Sequence, residues 1–150
     1  MTTNKQVEAE LFRHLLDNSA TPLIGSVIGA LLVTLAYHGS TYQTHIQVWL
    51  LILLATTAIR ILLTRQCMAR FKAQGYVPRE ALRYALTTGL SGVVWGVGSL
   101  FVLDASPMAM VVSITMVQAM VLGGALTLSA YPPSFYAFSL PAIFPMILAL

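Results

Sequence analysis

Long apolar runs alternate with short polar breaks along this chain. Apolar residues dominate Pro22 to Tyr37, Ile46 to Leu63, Leu82 to Leu103, Met108 to Leu128 and Ser134 to Leu150. A helix rises ~1.5 Å per residue, so about 20 residues cross the hydrocarbon of a bilayer. With their flanks, the runs predict five membrane helices over about residues 20–39, 46–64, 82–103, 108–128 and 134–150. The fold class is therefore all-α, a polytopic transmembrane helical bundle.

Residues 1–19 follow a different pattern. Val7, Leu11 and Leu15 share one helical face with Phe12 and Leu16 beside them, while Glu10, Arg13 and Asp17 point away. That spacing predicts a short amphipathic helix lying at the membrane interface. It does not read as a secretory signal, because Glu8, Glu10 and Asp17 outnumber Lys5 and Arg13 and no small-residue cleavage site follows.

The breaks carry recognisable punctuation. Thr21 and Pro22 suit the N-cap and first position of the first span, and Ser106 and Pro107 in the turn Asp104 to Pro107 suit those of the fourth. Tyr131, Pro132 and Pro133 end the fourth span, since proline cannot donate a helical hydrogen bond and disfavours helix in the residue before it. Within the fifth, Pro141 and Pro145 deprive the carbonyls of Ala137 and Pro141 of their helical donors. A bend is expected there, with neighbouring helices covering the freed backbone. The third span holds Gly89, Gly92, Gly96 and Gly98, and the GxxxG spacing of Gly92 and Gly96 predicts a close helix contact.

Composition agrees with the membrane reading. The chain is 57% hydrophobic and 9% charged with a mean hydropathy of +0.80, whereas soluble domains are about a quarter charged. Six of the eight Lys and Arg residues, Arg60, Arg65, Arg70, Lys72, Arg79 and Arg83, fall in the stretch Arg60 to Arg83 that joins the second and third spans. Basic loops are retained in the cytoplasm, so this one sets the topology. The N-terminus and the Tyr131 to Phe138 turn are then cytoplasmic, while His38 to His45 and Asp104 to Pro107, without Lys or Arg, face outward. The net charge of +3 reports orientation and contact with a lipid bilayer; no basic groove suggests nucleic acid. Cys67, the single cysteine, reads as an incidental reduced thiol. On this topology the fifth span carries Leu150 outward without a polar flank, which predicts that residues 20–150 are the N-terminal bundle of a longer protein.

Candidate chemistry is sparse. His38 and His45 bracket the first outward loop, and Met108 and Met110 begin the fourth span on that side. Imidazole with thioether is a copper set, and two histidines can ligate haem iron; the plainer reading is interfacial histidines and space-filling methionines. Gln118 lies mid-span, where an amide seeks an interhelical partner. Arg60 lies about one turn inside the inner interface, within snorkelling reach of lipid phosphate. No acid lies in a predicted span, which argues against proton-coupled transport. No nucleophile triad, carboxylate pair, CxxC, HExxH or phosphate loop is present. The sequence offers no catalytic residues and no evident cofactor.

The arginine ending the second span, the basic loop, GLSGVVWG, the DASP turn and AMVLGGALTLSAYPPSFYAFSLPAIFP together resemble the N-terminal multi-helix membrane sensor region of bacterial GGDEF and GGDEF/EAL cyclic-di-GMP proteins and of sensor histidine kinases. The resemblance covers roughly Trp49 to Leu150 and is most specific over Ala130 to Pro145. It implies an input module in the bacterial inner membrane, followed by a cytoplasmic output domain that works as a dimer. A diguanylate cyclase or cyclic-di-GMP regulator is the leading expectation and a histidine kinase the second. The chain has neither a GGDEF motif nor a phosphoacceptor helix, so any such enzyme activity would belong elsewhere. A transporter or channel subunit and a passive membrane anchor are the expectations from other classes.

Overall fold

A computed structural model describes the backbone of residues 2–101 and 105–149 and the side chains of residues 6–101 and 105–148. The described residues form six α-helices and no strand: α1 (Thr2–Asp17), α2 (Ala20–Ala36), α3 (Gln43–Gln74), α4 (Pro78–Ser99), α5 (Pro107–Leu128) and α6 (Pro132–Ala149). By length and composition α3 and α5 can cross a membrane; Gln6–Asp17 and α2 make a third crossing if their 40° bend joins them as one. The other apolar runs fall short for identifiable reasons. The α2 helix has 17 residues and α6 has 18, and α4 begins with Arg79, Glu80 and Arg83.

The basic segment is the main departure from the sequence reading. It is helix on both sides of a three-residue break at 75–77, because α3 runs for 32 residues through Arg60, Arg65, Arg70 and Lys72. Nothing between Arg60 and Gln74 opposes a helix, since the segment has neither Gly nor Pro and is rich in Leu, Arg, Gln, Met and Ala. Gly75 ends it with φ 75° and ψ −159°, a conformation that essentially only glycine adopts. Pro78 then opens α4, its missing N–H costing nothing in a first turn. At ~1.5 Å per residue α3 is about 48 Å long, against ~30 Å of hydrocarbon, so its basic end extends past the apolar layer.

The remaining termini are close to expectation. The α5 helix starts at Pro107, and Ser106 Oγ accepts the Ala109 N–H at 3.3 Å; Asp104 lies outside the described residues. Helix α2 starts at Ala20, which places Thr21 and Pro22 inside its first turn, and Ser19 donates to the Leu16 carbonyl at 2.7 Å instead of capping. The α6 helix begins at Pro132 and continues through Pro141 and Pro145.

Helices α2, α3, α4, α6 and α5 pack in that order into a closed ring, α5 returning to α2. Neighbours in the ring are antiparallel except α4 and α6, where Gly89 meets Ala137 and Gly96 meets Pro141, so both run in one direction. Side chains fill the ring in layers. At one level Tyr37 meets Ser113 at 3.5 Å, and in the middle Trp49 and Trp95 pack edge to face with centroids 5.4 Å apart. At the basic end, Phe12 from α1 is 1% exposed and meets the rings of Phe71, Tyr76, Tyr84 and Tyr131 edge-on. The apolar face of α1 is thereby divided. Phe12, Leu15 and Leu16 are buried against the bundle, whereas Val7 and Leu11 are 50% and 41% exposed.

Candidate functional site

The α4–α6 seam is built from backbone. A Cβ added at Gly92 would lie 2.9 Å from Phe138 Cα and collide with the Phe138 carbonyl; one at Gly96 would collide with the Pro141 carbonyl and lie 3.0 Å from the Pro145 ring. At Gly89 it would lie 3.3 Å from the Ala137 carbonyl oxygen. Ala137 and Pro141 are the two carbonyls whose helical donors Pro141 and Pro145 remove. The glycine face of α4 therefore covers the freed oxygens of α6, where Cα–H···O contacts and close dispersion replace hydrogen bonds. Gly98 faces elsewhere, under the Trp49 indole. Trp49 in turn donates to the Val94 carbonyl at 2.7 Å, so α3 grips α4 on its other side.

Arg60 departs from the snorkelling expectation. It is 4% exposed, because α2 and α4 close over it: a small cavity is lined by Leu23 and Ser26 of α2, Leu53, Thr56, Thr57 and Arg60 of α3, and Ser91, Val94 and Trp95 of α4. The guanidinium lies over the Tyr84 ring, 5.8 Å from its centroid, and its buried Nε and Nη2 have no hydrogen-bond partner among the described residues. Trp95 Nε1 donates to Ser26 Oγ at 2.8 Å.

Beyond the apolar stretch of α3, which ends at Leu63, a second polar cluster ties the helix break together. Glu80 accepts from Arg70 at 2.7 Å and from Arg83 at 3.1 Å, and Cys67 Sγ donates to its other oxygen at 3.6 Å. Its side chain is 12% exposed. The hydrogen bond from Arg70, then both guanidinium charges, hold the Glu80 carboxyl below its ordinary value. Burial, followed by the bond to Glu80, pushes the Cys67 thiol up to about 11. This carboxylate anchors the two arginines, whereas Arg65, Lys72 and Arg79 are exposed.

The remaining candidates are dispersed. His38, His45 and Met108 are exposed and Met110 is half-buried; His45 stacks obliquely on Tyr42 and Phe101. Among the described residues no group of three or more His, Cys, Asp or Glu side chains is placed to hold a metal ion. Gln118 is exposed on the outer face of α5, without the expected interhelical bond among the described residues. The packed face of α5 is set by Ala109, Ser113, Val117, Gly124 and Leu128, whose mostly small side chains allow close approach.

Sequence reasoning gave Glu80 no role and missed the burial of Arg60. The first was recoverable from spacing, since Glu80 and Arg83 stand three apart on one helix. The second depends on contacts from α2 and α4 that no local pattern encodes. Compared with known protein families, curated proteins and solved structures, the chain matches none.

Proposed function

We propose that this chain is the membrane-embedded sensory input module of a bacterial signalling protein. In this reading α2 to α6 are five spans of the inner membrane with the N-terminus cytoplasmic, and the module drives a homodimeric output domain, most specifically a diguanylate cyclase. The closed ring of α2, α3, α4, α6 and α5 supports five spans, because helices packed side by side with cross-contacts at matching levels share a common depth. The basic residues around Gly75 support a cytoplasmic placement of that end.

The observation that carries the signalling reading is the α4–α6 seam, in which Gly92 and Gly96 oppose the Phe138 and Pro141 carbonyls. Such a seam is held by short-range backbone contacts at its glycines. A stimulus with different contact energies for two arrangements of α4 and α6 would shift their populations, and the shift would reach an output dimer as a change of geometry.

The reading is tested by joining the chain, through one added membrane-spanning helix that returns it to the cytoplasm and a helical linker, to a diguanylate cyclase domain, in a bacterium without other cyclases. Gly92→Leu with Gly96→Leu should change cyclic-di-GMP at equal membrane abundance, and an unrelated anchor should not reproduce the parent output. Identical output from parent, variant and anchor would make the bundle a passive tether.

A further inference from the structure

We propose that the cavity enclosed by α2, α3 and α4 is a binding site for one small monovalent anion of halide size, held by the Arg60 guanidinium. The inference goes beyond the signalling reading and does not rest on it.

Three observations lead there. The first is charge. Arginine side chains keep their charge in proteins, Arg60 is 4% exposed, and no acid among the described residues lines its cavity. The Tyr84 ring, with its centroid 5.8 Å away, covers a face of the guanidinium. Its hydrogen-bond donors lie in the plane, and there Nε and Nη2 are buried without acceptors. A buried cation with empty donors is among the costliest arrangements a fold can hold, so a counter-charge is required.

The second is the donor set. Ser26 Oγ accepts from the Trp95 indole at 2.8 Å, which leaves its own proton free to donate. The Thr57 hydroxyl also lines the cavity and makes no side-chain hydrogen bond to the described residues. Thr56, by contrast, spends its proton on the Ile52 carbonyl at 2.8 Å. Arg60 and the hydroxyl-bearing Ser26 and Thr57 thus line one space, with no carboxylate among its described lining residues. A buried guanidinium beside hydroxyl donors, with no carboxylate to neutralise it, is the chemistry of an anion site.

The third is size. The centre of a water-sized body can range over about 10 Å³ in this cavity, room for one such body and no more. A lipid phosphate or an organic carboxylate does not fit. One positive charge and one small space specify a single monovalent ion.

The test uses the full chain, purified in nanodiscs of zwitterionic lipid, with bromide exchanged against gluconate at constant ionic strength. Bromide quenches indole emission, and Trp95 lines the cavity. Quenching should saturate, chloride should compete, and chloride should raise the melting temperature relative to gluconate. Arg60→Gln should abolish saturation and the melting shift, and Thr57→Val should weaken apparent bromide affinity about tenfold, as expected for losing a hydrogen bond to a charged group. Arg65→Gln, in an exposed residue, should leave both readouts intact. Should Arg60→Gln fail to fold, Thr57→Val and Ser26→Ala carry the comparison. Quenching that stays linear in bromide, with equal melting in chloride and gluconate, would show that the cavity holds water and overturn the proposal. So would saturation unchanged in Thr57→Val and Ser26→Ala.

Discussion

Gly96 of α4 faces the carbonyl of Pro141 in α6 so closely that a Cβ at Gly96 would collide with that oxygen. Pro145, one turn on, cannot donate to the same carbonyl. Helix-breaking prolines and a helix-weakening glycine thus meet at one point, and each removes the penalty of the other. Gly96→Ala should destabilise the protein by about 1–3 kcal/mol, because the obstacle is backbone and cannot rotate away. Gly92→Ala should behave alike against Phe138. Gly25→Ala and Gly123→Ala, whose added Cβ atoms meet nothing within 4 Å, should be neutral or stabilise by up to about 1 kcal/mol. Thermal or denaturant unfolding in micelles separates the two classes; equal effects at all four glycines would contradict the seam.

Phe12 is the aromatic anchor of α1, beside the buried Leu15 and Leu16. Phe12→Ala should cost about 3–5 kcal/mol, since Phe71, Tyr76, Tyr84 and Tyr131 all lose their shared edge contact. Val7→Ser, at an exposed position, should change stability little. Limited proteolysis provides the readout: cleavage within residues 6–17 should accelerate in Phe12→Ala alone.

The Glu80 cluster predicts acid sensitivity of known sign. Its folded-state carboxyl lies below the ordinary 4.5, so its stabilising contribution is fully present above that value and is lost as pH falls through the folded value. Glu80→Gln should lower stability at neutral pH and flatten the acid limb of a stability-against-pH curve. A parallel offset between parent and variant at every pH would refute the linkage.

Cys67 should be a poor nucleophile. A buried thiol pushed up to about 11 is almost wholly protonated at neutral pH, and thiolate is the reactive form. Maleimide should label it slowly in the folded protein and stoichiometrically in denaturant. Rapid labelling of the native chain would contradict the burial.

The indole of Trp95 bonds Ser26 across two helices. Trp95→Phe removes that donor and part of the edge contact with Trp49, and should cost about 1–3 kcal/mol. An unchanged melting curve would mean that the bond contributes nothing to α2 docking.

Helical class and element order were legible because apolar runs, prolines and caps act locally. The covering of the Ala137 and Pro141 carbonyls was half legible: the orphaned oxygens follow from two prolines, but Gly89 and Gly96 as their cover follow only from a parallel α4–α6 pairing. The charged run from Arg65 to Lys72 read as a loop because charge marks exposure, whereas helix formation depends on propensity, which those residues have. Gln118 was expected inward because hydrocarbon penalises an amide, yet the phase of α5 is set by the small residues around Ser113 and Gly124. Arg60 was expected at the surface, and three helices enclose it.

Because α3 is unbroken from Gln43 to Gln74, it has the mechanics of a lever. A tilt of about 5° around its midpoint would carry each end of a ~48 Å rod about 2 Å. Trp49 sits near one end and Arg70, clamped to Glu80, near the other. Motion at the tryptophan end would therefore arrive at the carboxylate clamp with no hinge between them to absorb it.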